Sequence, residues 1–260
     1  MNVMASVNYF VKRDMIQAFH FDVDGVAGNL ISPDLVAEKV TVKDLRENKD
    51  TLNFNDNGIC FTKFESTISD FREKHSWQSI YDNEIKNLLR DKIGAKEVIV
   101  FDHTVRMDMP NAVRKPARNV HNDYSEKAAN QRLNDLVGKD QAIEFQKGSF
   151  GFVNVWRPIE DMIISSPLGF ICPHSMQSKD WINIELIYPD RIGQILGVVA
   201  NPKHQWFYLS KMTPTEAIIF NIYDNKNRPH LAHSALDIES GTTPSKPRKS
   251  IETRVLIRYE

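Results

Sequence analysis

His121-Asn-Asp123 and His20-Phe-Asp22 each set an imidazole and a carboxylate two residues apart. On a strand, residues i and i+2 project from the same face, roughly 6–7 Å apart along the backbone. Such a pair can converge on one metal ion. A third ligand from a distant strand makes a two-histidine, one-carboxylate facial triad with open coordination positions, the arrangement of non-haem Fe(II) oxygenases. His233 stands 110 residues after Asp123, and Arg248-Lys-Ser250 follows fifteen residues after that histidine, at the start of the last strand-like run. A guanidinium and a hydroxyl on one strand face match a carboxylate, because the Arg fork offers two parallel N–H donors and Ser a third. In facial-triad enzymes that use 2-oxoglutarate, such a pair grips the far carboxylate of the cosubstrate. Taken singly, His233 reads as a surface or core histidine and Arg-x-Ser as an exposed basic loop; their order along the chain gives them meaning. Taking His121 as the first ligand fits one jelly roll. Taking His20 places two ligands before the first helix, which fits poorly.

A competing motif is Phe19-His-Phe-Asp-Val-Asp-Gly25. An apolar strand ending in Asp-x-Asp-Gly resembles the nucleophile motif of haloacid-dehalogenase-type phosphatases, with Asp22 as nucleophile and Asp24 as acid/base. That chemistry also needs an acidic pair downstream to hold magnesium, and Asp224 and Asp237 stand alone. The plainer reading is a turn with acidic residues in solvent.

The elements that must position these groups are legible in outline. Val40-Thr-Val42 and Cys60-Phe-Thr-Lys-Phe64 read as strands around the turn Asn55-Asp-Asn-Gly58. Residues 76–93 predict an amphipathic helix, with Trp77, Ile80, Tyr81, Ile85, Leu88, Leu89 and Ile93 at three- and four-residue steps and Gly94 as terminator. A second helix is expected over 125–137, stopped by Gly138. Strand-like runs cover 98–101, 151–156, 194–200, 206–209, 217–223 and 251–259, and residues 120–124 are extended. A helical prelude followed by closely spaced strands predicts a mainly β fold with some α: a double-stranded β-helix (jelly roll, cupin-like) with flanking helices. The expected organisation is one domain over 1–260, with N-terminal strands and helix (1–97) packing on a jelly-roll core (98–260).

Composition sets the outer limits. Lys and Arg number 33 against 34 Asp and Glu, a net charge of −1, which excludes the strongly basic footprint of a nucleic-acid-coating protein. No apolar run approaches the roughly 20 residues of a membrane span. The first residues do not read as a signal peptide, and two cysteines, Cys60 and Cys172, are too few for a disulfide framework. A cytoplasmic protein acting on a small molecule, with neither nucleic acid nor membrane as partner, is the expectation.

The chain also resembles the secondary-metabolite oxygenases grouped with the gibberellin desaturase, the aspergillic acid hydroxylase and the cephamycin methoxylation component CmcJ. The resemblance spans most of the length. It rests on Val40-Thr-Val-Lys-Asp-Leu-Arg46, Phe54-Asn-Asp-Asn-Gly58, Val100-Phe-Asp-His-Thr-Val-Arg106 and Val120-His-Asn-Asp-Tyr-Ser125. More distinctive are Asn154-Val-Trp-Arg-Pro158, Leu186-Ile-Tyr-Pro-Asp-Arg191, Trp206-Phe-Tyr-Leu-Ser210 with Met212-Thr-Pro214, and Arg248-Lys-Ser-Ile-Glu252. Residues 10–34 depart from the Pro-rich pattern of the family. The resemblance implies a double-stranded β-helix using Fe(II), 2-oxoglutarate and O₂. It implies His121, Asp123 and His233 as metal ligands and Arg248 with Ser250 as the 2-oxoglutarate clamp. Arg106, Asn154, Trp156, Tyr188 and Tyr223 are the candidate substrate-binding residues, with Phe101 and Trp206 as further candidates for an aromatic pocket and Arg157 for a structural ion pair. The outcome would be hydroxylation, desaturation or ring formation. Two alternatives keep the scaffold: an iron oxidase that does not use 2-oxoglutarate, in which Arg248 and Ser250 bind a substrate carboxylate, and a non-catalytic jelly-roll binding protein.

Overall fold

The computed structural model describes residues 1–26, 28–239 and 246–260, arranged as two β-sheets that share an apolar core. The smaller sheet runs β5 (Ile59–Lys63), β13 (Glu216–Asp224), β8 (Phe150–Pro158), β16 (Lys249–Arg258) and β6 (Glu97–Met107), antiparallel throughout. The larger runs β15 (Asp237–Ile238), β1 (Asn2–Phe10), β4 (Leu35–Asp44), β12 (Trp206–Tyr208), β9 (Leu168–Ile171), β14 (His233–Ala235), β7 (His121–Asn122), β11 (Ile192–Val198), β10 (Trp181–Ile187), β2 (Gln17–Phe21) and β3 (Leu30–Ile31). The fold is the mainly β jelly roll expected from the sequence. Its helices are α1 (Phe54–Asn57), α2 (Lys74–Ile93), α3 (Glu126–Val137) and α4 (Lys139–Lys147).

Strand alternation sorts the core. In β8, Phe150, Phe152 and Trp156 face the inter-sheet core, while Val153 and Val155 face the opposite way. In β9 and β12, Phe170 and Phe207 join that inner core, while Ile171, Trp206 and Tyr208 enter a cluster on the far side of the larger sheet. Helix α2 covers the outer face of the smaller sheet, burying Trp77, Tyr81, Ile85, Leu88, Leu89 and Ile93 against Val153, Val155, Ile219, Ile251 and Val255. Ile80 falls off this stripe and is 49% exposed. Strand β8 therefore has apolar cover on both faces and is buried at every position. At Gly58 the φ of +70° ends α1, and a Cβ there would meet the Pro229 carbonyl oxygen at 2.0 Å, so only glycine fits.

The leading segment corrects the expected helical prelude. Four strands precede α2 apart from the short β5, and β1 and β4 are hydrogen-bonded along nine residue pairs within the larger sheet. The physical reason is a period-two alternation in which Val3, Ala5, Val7 and Tyr9 point into the cluster on the far side of the larger sheet. Strand β10 and helix α4 also go beyond the sequence reading. Helix α4 is short and buries only Ala142 and Phe145, too few apolar positions to establish a period.

Three histidines away from the inner core are held neutral by burial. His103 lies between Asp82 (2.7 Å) and Thr253 (2.9 Å), His204 between Tyr9 (2.9 Å) and Asp180 (3.2 Å), and His230 packs on Trp181. Burial is the largest influence on each and pushes its pKa below the usual histidine value. Below about pH 6.5 the unfolded chain takes up protons that the folded one refuses. Stability is therefore fully present above that pH and is lost as pH falls below it. Urea midpoints of the metal-free protein should be flat above pH 7 and fall between pH 6.5 and 5.5; a flat profile across that window would contradict this account.

Candidate metal and cosubstrate site

Asp123 follows β7 and His121 opens it; His233 opens β14, the strand paired with β7, and the two histidines are register partners. Pairing across neighbouring strands is what brings residues 112 positions apart into one site (233 − 121). Their rings lie 4.5 Å apart, His121 Nε2 is 3.4 Å from Asp123 Oδ1, and His233 Nε2 is 4.0 Å from the same oxygen. One donor atom from each of the three residues lies within 4.8 Å of the others.

What surrounds the three groups fixes which atoms face one another. His121 Nδ1–H donates to the Asn119 carbonyl (2.8 Å) and His233 Nδ1–H to the Leu231 carbonyl (3.0 Å), each two residues back in the chain. In this tautomer both Nε2 lone pairs point inward, as a metal requires. Burial, and then the neighbouring His121, push the His233 pKa down to about 4, so the ring is neutral at neutral pH. On the carboxylate, Oδ2 accepts from Asn154 Nδ2 (2.9 Å) and Arg254 Nε (3.1 Å), which leaves Oδ1 toward the imidazoles. Burial alone would raise the Asp123 pKa; the Arg254 charge is the largest opposing influence, and the carboxyl is held well below the usual range.

Arg254 is the hub of this support. Besides Asp123 it donates from Nη1 to Asp102 (2.7 Å) and Thr104 (3.2 Å) and from Nη2 to Glu252 (2.5 Å). Three carboxylates outweigh the burial that would otherwise lower its pKa. Neither Arg254 nor Asp102 figures among the sequence candidates. The signal exists: Arg248, Ser250, Glu252 and Arg254 alternate along β16 and so share a face.

Just before β16, Arg248 is 3% exposed, donating from Nε to Ser250 Oγ (3.0 Å) and from Nη1 to the Ser166 carbonyl (2.6 Å). Its guanidinium lies 5.0 Å from the Trp156 ring, whose buried Nε1–H has no hydrogen-bond partner among the described residues. No carboxylate lies within salt-bridge distance of Arg248 among the described residues, and burial pushes its pKa down to about 9. A buried, unneutralised guanidinium with a hydroxyl at its side fits a carboxylate ligand. Two imidazole nitrogens and one carboxylate oxygen fit Fe(II). Both groups therefore suit the residues present.

The remaining candidates are dispersed. Asn154 is bound to Asp123, and Trp156 faces the inner core beneath Arg248. Tyr223 is half-buried against Phe150, and Phe101 packs on Phe152 under Arg132. Tyr188 sits after β10, stacked on Phe21 at 4.4 Å and under Arg191, and is not brought to the triad. Trp206 belongs to the far side of the larger sheet, where its Nε1–H donates to Tyr9 Oη, which removes it from any pocket beside the triad. Arg157 makes no ion pair among the described residues: it points to the outer face, donates to the Pro214 and Ile68 carbonyls, and lies over Phe64, Phe71 and Tyr81. His20 is exposed, and Asp22 and Asp24 sit in an exposed turn with positive φ, Asp22 accepting from the Gly28 N–H (2.8 Å). The phosphatase motif is thus a local turn.

The family model described as an oxidoreductase/YMDC permease-like domain matches residues 7–258. The alpha-ketoglutarate-dependent dioxygenase phiK of a fungal species is 30% identical over 239 residues, covering 85% of this chain and 84% of its own. The chain belongs to the fungal secondary-metabolite Fe(II)/2-oxoglutarate oxygenase family. Among other members, the hydroxylase/desaturase efuI of Hormonema carpetanum is 28% identical over 86% of this chain and 84% of its own. The solved structure of the iron and alpha-ketoglutarate-dependent endoperoxidase NvfI is similar in fold, with a TM-score of 0.85 at 21% identity, covering 99% of this chain and 98% of that one. The chain is an Fe(II)/2-oxoglutarate-dependent dioxygenase with a small-molecule substrate. No helix among the described residues is long and apolar enough to cross a membrane.

Proposed function

We propose that this oxygenase holds Fe(II) through His121 Nε2, Asp123 Oδ1 and His233 Nε2, and binds the far carboxylate of 2-oxoglutarate through Arg248 and Ser250. The observation that carries the reading is the pair of Nδ1–H bonds to the Asn119 and Leu231 carbonyls, which turn two imidazole lone pairs toward one carboxylate oxygen. When bound, the iron, the keto acid and O₂ supply the oxidising chemistry. The chain's own residues bind and orient. Asn154 and Arg254 fix the carboxylate, and Phe170 and Phe220, with rings 6.2 and 5.0 Å from His233, wall the site against water. Trp156 and Tyr223 line the inner core as candidates for substrate contact.

The outcome belongs to hydroxylation, desaturation or ring formation on a secondary metabolite, in line with relatives named as a hydroxylase/desaturase and as an endoperoxidase. Residues 1–260 act as one domain, supported by strands of the first hundred residues built into both sheets. Two free cysteines, Cys60 and Cys172, support a reducing cytoplasmic setting, and the balanced charge supports the absence of nucleic-acid or membrane partners.

Anaerobic titration with Fe(II) and then 2-oxoglutarate tests the reading. A visible charge-transfer band that needs both components is the expected result, and iron binding without any response to 2-oxoglutarate would overturn it. Arg248→Ala should weaken 2-oxoglutarate binding by roughly 2–5 kcal/mol through loss of a desolvated charge pairing. Iron affinity in the absence of 2-oxoglutarate should stay unchanged, as measured by the same titration.

A further inference from the structure

Arg106 lies on β6 in register with Ser250 on β16. Cross-strand partners project from the same face with Cβ atoms about 5 Å apart. The pairing continues one step beyond the strand, because the Asp108 N–H donates to the Arg248 carbonyl (2.9 Å). Arg248, two residues before Ser250, therefore shares this face as a diagonal neighbour of Arg106. Arg106 and Arg248 thus lie on the strand face of Ser250, and the Arg248 guanidinium reaches its hydroxyl.

Neither arginine makes an ion pair among the described residues. Arg106 donates from Nη1 to the Lys115 carbonyl (2.9 Å), and Arg248 bonds to a hydroxyl and a carbonyl. Carbonyls orient a guanidinium without cancelling its charge. The neighbouring carboxylates are committed elsewhere: Glu252 to Arg254 (2.5 Å), and Asp108 to Arg118 (3.0 Å) and Ser166 (2.6 Å). Burial is the main influence lowering the Arg106 pKa, and after burial Arg106 is the largest influence lowering that of Arg248. Arg254, on the same face with three carboxylates, shows the opposite direction. Arg248 is buried and Arg106 half-buried, and adjacent like charges without a counter-ion are costly to the extent that they are buried, a cost that an anion relieves. An anion placed to use Ser250 meets both.

We propose that Arg106 is the second arm of the cosubstrate clamp, binding the far carboxylate of 2-oxoglutarate together with Arg248 and Ser250. The inference rests on the site reading above and assigns Arg106 to the cosubstrate rather than to the oxidised substrate.

The test compares 2-oxoglutarate with 2-oxopentanoate, which keeps the keto acid and chain length but ends in a methyl group. Dissociation constants are measured anaerobically on the Fe(II)-loaded full-length protein, by the charge-transfer band or by calorimetry. The unmodified protein should favour 2-oxoglutarate. Arg106→Gln should weaken 2-oxoglutarate about 10- to 100-fold, the range for a hydrogen bond to a charged group, and leave 2-oxopentanoate within about twofold. Arg106→Lys keeps the charge without the fork; it should weaken 2-oxoglutarate by less, again without affecting 2-oxopentanoate, and it serves should the Gln variant fail to fold. Equal loss for both keto acids, or loss for neither with a raised KM for the oxidised substrate alone, overturns the role of Arg106 while leaving the Arg248 clamp standing. A protein that does not distinguish the two keto acids before mutation overturns the clamp itself.

Discussion

Arg254→Leu should destabilise the protein by roughly 3–5 kcal/mol, the range for breaking a buried ion pair from one side. The guanidinium is the common partner of Asp123, Glu252 and Asp102, whose side chains are 11%, 7% and 37% exposed. Removing it leaves two carboxylates in the interior without a counter-charge, and they must either stay ionised at high cost or take up protons. The more exposed Asp102 contributes little of this cost, since solvent screens it. Iron affinity should fall together with stability, because Asp123 loses the donor that holds its Oδ2 and directs its Oδ1. Urea unfolding and iron titration of the same samples measure both effects. A variant as stable as the parent would show that the four charged groups are not coupled.

Asp123→Ala should separate those effects. Arg254 keeps Glu252 and Asp102 in this variant, so the unfolding midpoint should move little, whereas Fe(II) binding and turnover should be lost. Loss of an outer partner of a metal ligand costs about 10–100-fold in affinity, which is the expectation for Asn154→Ala; losing the carboxylate itself should exceed this. His20→Ala should leave iron binding unchanged, since that ring is exposed on β2, next to the edge strand β3 of the larger sheet. Equilibrium dialysis with Fe(II) on the three variants gives the ranking. If His20→Ala lost iron and Asp123→Ala kept it, the assignment of the centre would be wrong.

The parts of this molecule that were legible in its sequence are those written in side-chain periodicity. The three- to four-residue steps of Trp77, Tyr81, Ile85 and Leu88 give α2, and Ser125 gives α3 its start by accepting from the Ala128 N–H (3.1 Å). The order of His121, Asp123 and His233 pointed to their meeting because each lies on or beside a strand, and the i, i+2 spacing of Arg248 and Ser250 pointed to their contact. The alternation of β1 was equally present, but Val3, Ala5, Val7 and Tyr9, with Met4 breaking the polar positions between them, make a weak pattern until β4 pairs with them. Arg254 escaped notice because an arginine late in a strand is usually a solvated charge; only the three carboxylates gathered by folding give it a role. The aromatic candidates failed at Trp206 for a related reason: an apolar ring can point to either side of a sheet, and only its neighbours decide which. The backbone acceptors at Asn119 and Leu231 carry no side-chain signature at all.

Those two carbonyl latches bear on which element the protein acquires in the cell. Because each imidazole is aimed by a backbone carbonyl, the set of two nitrogens and an oxygen is not shaped around one particular ion, and any divalent cation that tolerates those donors can use it. Intrinsic affinities rise along the first transition row from Mn²⁺ to Cu²⁺, so nickel, cobalt and zinc compete with iron on chemical grounds. Selection of the productive ion is therefore left to cellular supply, and protein purified from cells rich in zinc should carry it as an inert passenger.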